Sequence, residues 1–167
     1  MKKLIVVGAS SGMGMRIATD FARLGWRVGI AARREDRLRE IRNLYPDRIE
    51  YMAIDVTADD AVERFNNLIE LTGGMDYMLY AAGCGWQNPE LDTARDRSTL
   101  EVNVVGFTRI INAAYTYFRD TANRRPGHIA AITSVAGTKG IGISATYSAS
   151  KRYQWTYLQA LDQLAHI

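Results

Sequence analysis

Leu4-Ile5-Val6-Val7-Gly8-Ala9-Ser10-Ser11-Gly12-Met13-Gly14 is the stretch that decides the fold. Its apolar start, rich in β-branched residues, reads as a short strand buried on both faces, as in a parallel sheet. A glycine loop follows. From Met15 to Leu24 the apolar residues Ile17, Ala18, Phe21 and Leu24 recur at helical spacing, and Gly25 supplies a C-cap. Strand, glycine loop and helix together form the setting in which a nucleotide pyrophosphate binds. Glycines let the backbone approach the phosphates, and the helix N-terminus offers free N–H groups and the positive end of its dipole. Ser10 and Ser11 add hydroxyl donors. Gly-rich turns also occur for purely structural reasons. The position of this one, directly behind a buried strand, favours the nucleotide reading. Gly8, Ser10, Ser11, Gly12, Met13 and Gly14 are the candidate contacts.

Outward from this stretch the same alternation repeats. Val28 to Ala32, Ile49 to Ile54, Met75 to Ala82 and His128 to Thr133 hold further strands. Between them lie helical patterns at Glu35 to Leu44 and Asp59 to Leu71, and a long one whose apolar stripe is Phe107, Ile110, Ile111, Ala114, Tyr115 and Phe118. Arg124-Arg125-Pro126-Gly127 ends that stripe. Gly83 to Asp96 reads as a polar loop and Val135 to Ser144 as a Gly-rich one, and a last helix starts near Tyr147. Strictly alternating strands and helices predict one α/β domain over residues 1–167, a doubly wound parallel sheet of the Rossmann type with right-handed crossovers.

Composition narrows the function. The chain has 167 residues, 47% of them hydrophobic, enough for one domain with a real core. Lys and Arg number 21 against 18 Asp and Glu, a net charge of +3. That excess is too small and too scattered for a nucleic-acid surface, although Arg33, Arg34, Arg37 and Arg39 cluster enough to meet one phosphate. Two histidines and one cysteine give no metal-ligand set. The lone Cys84 fits a reducing, cytoplasmic setting and reads as a small apolar residue. The apolar run after Met1-Lys2-Lys3 is too short for a signal segment or a membrane span. His128 reads as a surface residue.

The end of the second strand bears on the choice of nucleotide. An acid there would bond the ribose 2′-hydroxyl, whereas an arginine accommodates a 2′-phosphate. The chain reads Ala31-Ala32-Arg33-Arg34, with Glu35 the first acid, so NADP(H) is preferred over NAD(H). Arg33 and Arg34 opening a solvated helix is the plainer alternative. Asp55, at the end of the third strand, could accept a bond from an adenine amino group or could simply cap a turn.

Tyr147 and Lys151 are four residues apart in a helical stretch and so share a face. An ammonium beside a phenol favours the phenolate, which makes a usable proton donor near neutral pH. Ser134 ends the fifth apolar run. The combination of Gly8-Ala9-Ser10-Ser11-Gly12-Met13-Gly14, Asp55-Val56, Ala81-Ala82-Gly83, Asn103, Ser134 and Tyr147-Ser148-Ala149-Ser150-Lys151 resembles the short-chain dehydrogenase/reductase family of the single-domain type. The resemblance implies hydride transfer between a nicotinamide and a carbonyl or alcohol carbon of a small molecule. It casts Tyr147 as general acid or base, Lys151 as its activator and ribose ligand, Ser134 as a donor to the substrate oxygen, and Asn103 as holder of a water between Lys151 and solvent. It adds Val56, Ala82 and Gly83 to the cofactor contacts. Trp86, Gln87, Ile141 and Ile143 are candidate pocket walls.

Two departures accompany the resemblance. Ala81 stands where the family commonly has an asparagine that ties the central sheet. The family also continues beyond the last helix seen here with further strands and a substrate-covering segment. A C-terminally incomplete chain is therefore expected, with the fifth strand left as an open edge. Family members often form homodimers or homotetramers through long helices. The stripe from Phe107 to Phe118 suits that use and equally suits a core helix. Two other readings stay open: a non-catalytic dinucleotide-binding or interaction module, and a sugar-nucleotide epimerase or dehydratase sharing the Tyr-x-x-x-Lys pair.

Overall fold

A computed structural model describes residues 1–121 and 127–166. One parallel sheet contains β1 (Lys3–Val7), β2 (Arg27–Ala32), β3 (Ile49–Ala53), β4 (Tyr77–Tyr80) and β5 (His128–Ala131), in the order β3-β2-β1-β4-β5. The helices are α1 (Gly12–Arg23), α2 (Glu35–Leu44), α3 (Ala61–Thr72), α4 (Thr93–Leu100), α5 (Phe107–Thr121) and α6 (Ala145–Leu164). The expected alternation and the doubly wound sheet are both present. The proposed breaker Arg124-Arg125-Pro126 lies outside the described residues.

The continuous apolar runs divide by period two, as a strand buried on both faces requires. Ile5 and Val7 of β1 face one core with Phe65, Leu68, Phe107, Ile110 and Ile111 from α3 and α5. Leu4 and Val6 face the other, with Ala18, Ala22, Leu38 and Ile41 from α1 and α2. Strand direction reverses its spread at β1, with β2 on one side and β4 on the other. In α/β sheets that switch point opens a crevice at the carboxyl ends of the strands. The register aligns Val7 with Ala31 and with Tyr80, and Tyr80 with Ala131. The loops that leave β1, β4 and β5 therefore emerge side by side.

Several boundaries differ from the sequence reading. Helix α1 starts at Gly12 and not at Met15, because the last residues of the glycine loop already form its first turn. The stretch Gly83 to Asp96 is not all loop. Asp92 accepts a hydrogen bond from the Ala94 N–H at 2.8 Å and so caps α4. A π-helical stretch, Glu101–Gly106, then joins α4 to α5. Leu24, which continues the helical spacing of α1, is 68% exposed at the helix end.

The ambiguous stripe of α5 is a core stripe. Phe107, Ile110, Ile111 and Ala114 are fully buried within the chain, and the Phe107 ring meets Tyr80 edge to face at 5.2 Å. No second copy is needed to cover it. Strand β5 pairs with β4 alone among the described residues, and its positions alternate exposed and half-buried, as the expected open edge requires. His128 is exposed and stacks on Tyr77 at 5.0 Å.

Truncating a fully buried aromatic removes its transfer energy and leaves a cavity. Phe107→Ala is expected to destabilise the chain by about 3–5 kcal/mol in chemical denaturation. A loss below about 1 kcal/mol would mean that the stripe is not core.

Candidate active site

At the carboxyl end of β1, Gly8 has a φ of +95°. A Cβ built there would lie 2.3 Å from the Ala82 backbone nitrogen. Only glycine fits, and it seats the glycine loop directly against the chain leaving β4. Gly8 and Ala9 also donate their N–H groups to the Ala31 carbonyl at 2.7 and 3.0 Å, which ties the loop to β2. Ser11 is the N-cap of α1, yet its side chain makes no cap bond, and the first turn of the helix holds no acid. This leaves a helix N-terminus with donors and no side-chain acceptor, a donor set that fits a phosphate. Ser10 and exposed Ser11, Gly12 and Met13 border it, while Gly14 is buried inside the first turn.

Arg34 closes the loop from the β2 side. Its Nη2 donates to Ser10 Oγ and Ser11 Oγ, both at 2.8 Å, and its Nε reaches Ser10 Oγ at 3.2 Å. Arg33 is exposed beside it. Asp55 is used in a local turn: its Oδ1 accepts from the Thr57 N–H at 3.0 Å and from the Thr57 hydroxyl at 2.8 Å. Partial burial pushes its carboxyl upward, but the Thr57 bonds and the nearby Arg33 charge outweigh that and hold it below 3.8. Val56 is buried against Gly106 and supports the site from beneath.

The second half of the site is built around Asn103, fully buried in the π-helical stretch. Its Oδ1 accepts from the Cys84 N–H at 2.9 Å, and its Nδ2 donates to the Cys84 carbonyl at 2.7 Å and to Ser150 Oγ at 3.0 Å. One side chain thus clamps the segment after β4 and the start of α6. Its own carbonyl accepts from Gln154 Nε2 at 2.9 Å. A single turn of π geometry inside a helix frequently marks a functional position. The end of β4 is tied to the same stretch by Tyr80, whose hydroxyl donates to the Val102 carbonyl at 3.2 Å.

Lys151 is only 4% exposed. Its ammonium donates to the Ile132 carbonyl at 3.1 Å and to Gln154 Oε1 at 3.0 Å, and lies 5.8 Å from the centre of the Tyr147 ring. Burial pushes the ammonium pKa down, partly offset by Cys84. The pair therefore shares one face of α6, as its spacing required. Gly85 lies against the Tyr147 ring, where a Cβ would fall 2.3 Å from Cδ2. Burial pushes the Cys84 thiol pKa up. Ser134 caps a short 3-10 turn, its Oγ accepting from the Ala136 N–H at 3.1 Å.

One cleft of about 390 Å³ joins these parts. Met13 lines it from the glycine loop, Gly83, Trp86 and Gln87 from beyond β4, Thr133 from beyond β5, and Tyr147 with Lys151 from α6. Ser134 is next in sequence to Thr133 but is not itself among the lining residues. Trp86 and Gln87 stand where expected. Ile141 lines a separate groove with Lys139 and Arg152, and Ile143 does not line the cleft, although its neighbour Ser144 does. Sequence reasoning missed Asn88, which is buried. Its N–H donates to the Ile143 carbonyl at 2.7 Å, and its Nδ2 reaches the Asp92 carbonyl and Asp96 Oδ1, both at 3.0 Å. It holds the Trp86 loop over the cleft, and the Asn88-Pro89 dipeptide was its signal. Gln154 was also missed. Among the described residues no group of acidic, histidine or cysteine side chains could hold a metal.

Comparison with known proteins gives the family and the fold. The family model described as short chain dehydrogenase matches residues 2–164. An uncharacterized oxidoreductase of Mycobacterium tuberculosis is 35% identical over 160 residues, covering 90% of this chain and 62% of the relative. The chain thus spans under two thirds of the length of that curated relative. A short chain dehydrogenase from Mycobacterium smegmatis superposes with a TM-score of 0.86 at 28% identity, over 93% of this chain and 66% of that one. An alcohol dehydrogenase from Thermococcus sibiricus, complexed with 5-hydroxy-NADP, gives 0.85 at 26% identity, over 96% and 70%.

The lowered Asp55 carboxyl fixes the sign of a pH effect. Between its folded pKa and the unfolded value of 3.8 the folded chain binds fewer protons, so stability rises with pH there. The contribution is complete above that window and is lost as pH falls through the folded pKa. Asp55→Ala, which removes both Thr57 bonds, is expected to cost about 1–2 kcal/mol at neutral pH. Denaturation curves taken below the window should show the gap between variant and parent narrowing.

Proposed function

From the premise that the chain belongs to the short-chain dehydrogenase family, a family of oxidoreductases, we propose that it interconverts a carbonyl and an alcohol with NADP(H), Tyr147 passing the proton. The observation that carries this reading is the single cleft shared by Met13 of the glycine loop and the Tyr147–Lys151 pair. A nucleotide-binding end and a proton-transfer end open into the same space, which is the arrangement that hydride transfer with proton delivery requires.

The residues divide the work as follows. The N–H groups at the start of α1, with Gly8, Ser10, Ser11 and Gly12, hold the pyrophosphate. Arg34 and Arg33 meet the 2′-phosphate, and the absence of an acid before Glu35 removes a competing charge. A solved relative complexed with 5-hydroxy-NADP supports this preference. Asp55, Val56, Ala82 and Gly83 border the adenine and ribose positions. When bound, the nicotinamide supplies or takes up the hydride. In the reductive direction the Tyr147 hydroxyl donates to the substrate oxygen and gives up its proton as negative charge gathers there. The Lys151 ammonium lies beside the ring and favours the resulting phenolate. Ser134 Oγ accepts from Ala136, which leaves its hydrogen to donate to the same substrate oxygen. Asn103 positions the floor of the site through Cys84 and Ser150. The partner is a small molecule that Trp86 and Gln87 face across the cleft, and a cytoplasmic setting suits the free Cys84.

Tyr147→Phe keeps the ring and removes the proton. It is expected to lower NADPH-dependent reduction of a ketone or aldehyde panel by about 100-fold or more, with NADPH affinity unchanged. Normal turnover would remove Tyr147 from the reaction. Saturable NADPH binding without turnover by the parent chain would favour the non-catalytic module. Replacing both Arg33 and Arg34 by alanine is expected to weaken NADPH binding at least about tenfold while leaving NADH nearly unchanged, as read by cofactor fluorescence titration. Equal losses for both cofactors would remove the 2′-phosphate role.

A further inference from the structure

Gln154 is fully buried, three residues after Lys151 on α6. Its amide is used in two directions. Oε1 accepts from the Lys151 ammonium at 3.0 Å, and Nε2 donates to the Asn103 carbonyl at 2.9 Å. The orientation is fixed by chemistry, since an ammonium only donates and a carbonyl only accepts. A flipped amide would oppose donor to donor at one end and acceptor to acceptor at the other. A buried amide at a core-facing helix position is costly unless both ends are satisfied, and here both are. Its partners are two residues already assigned to the site.

We infer that Gln154 is a positioning residue of the active site: its amide holds the Lys151 ammonium against the Tyr147 ring and joins it to the π-helical stretch that carries Asn103. The Ile132 carbonyl is the ammonium's other acceptor, at 3.1 Å, and fixes it from the β5 side. Gly83 closes the remaining side, where a Cβ would stand 3.2 Å from Nζ. An amide of fixed polarity holds a charge in place without relaying its proton, so the link sets position. The titratable groups facing the ammonium are the Cys84 thiol beyond β4 and the Tyr147 phenol on α6. β5 presents the Ile132 carbonyl and the π-helical stretch the Asn103 amide, neither of which titrates.

The inference rests on the proposed role of the Tyr147–Lys151 pair, but its test needs neither cofactor nor substrate. Lysine labelled with ¹³C at Cε reports the titration of Lys151 by NMR in the full chain, with Lys151→Met identifying the signal. In Gln154→Leu the buried ammonium loses an acceptor, and its titration should move down by roughly one unit or more. In Gln154→Glu, nearly isosteric, a carboxylate faces the ammonium and the titration should move up. Should the leucine variant fail to fold, the glutamate variant alone decides the sign. Titration unchanged from the parent in the folded variants would overturn the inference. Opposite shifts in a chain that reduces no carbonyl would sustain it and fail the function reading, while turnover with no shift would do the reverse.

Discussion

Gly8 and Ala82 meet backbone to backbone, with no room for a single added carbon between them. The parallel register of β1 between β2 and β4 makes this contact, and the site depends on it. It seats the glycine loop against the segment that continues to Gly83, Cys84 and Gly85. That segment in turn lies on Lys151 and on the Tyr147 ring. A bulkier residue at Gly8 would therefore push the glycine loop away from the segment that reaches Lys151 and Tyr147.

The second constraint is electrostatic. A lysine ammonium buried to 4% exposure is unfavourable unless acceptors replace its water. Two acceptors do so here, one from Ile132 just past β5 and one from Gln154. Both are anchored further on, Ile132 through its N–H to the Tyr80 carbonyl and Gln154 through the Asn103 carbonyl. Asn103 serves three residues at once: its amide clamps Cys84 and bonds Ser150, and its carbonyl steadies Gln154. The cost of burying one charge thus organises the junction of the sheet, the π-helical stretch and α6. Residues at functional sites commonly combine such strain with over-determined support.

Much of this was legible in the sequence because it rests on local spacing. The glycine loop follows its strand directly, Tyr147 and Lys151 share a face at i and i+4, and Arg34 stands two residues past β2, where it reaches Ser10 and Ser11. What was not legible depends on distant partners. Gln154 reads as an ordinary helix residue until Asn103, 51 positions away, is seen beneath it. Asn103 shows its clamping role only once the π turn aims its amide at Cys84. The α5 stripe has the same periodicity whether it faces a sheet or a second copy, and only the packing of Phe107 on Tyr80 decides between them. Ile141 and Ile143 were placed by loop position alone; Ile141 lines a separate groove, and of the turn that holds Ile143 only Ser144 lines the cleft.

The claim that one cleft joins nucleotide chemistry to proton transfer is tested most directly by following the hydride. The full chain is incubated with NADPH carrying deuterium at the transferable C4 position and with a panel of ketones and aldehydes. Mass spectrometry then locates the label. The account predicts deuterium on the carbinol carbon of at least one product alcohol, on a single stereochemical face. Saturable NADPH binding with no label transferred to any carbonyl would contradict it.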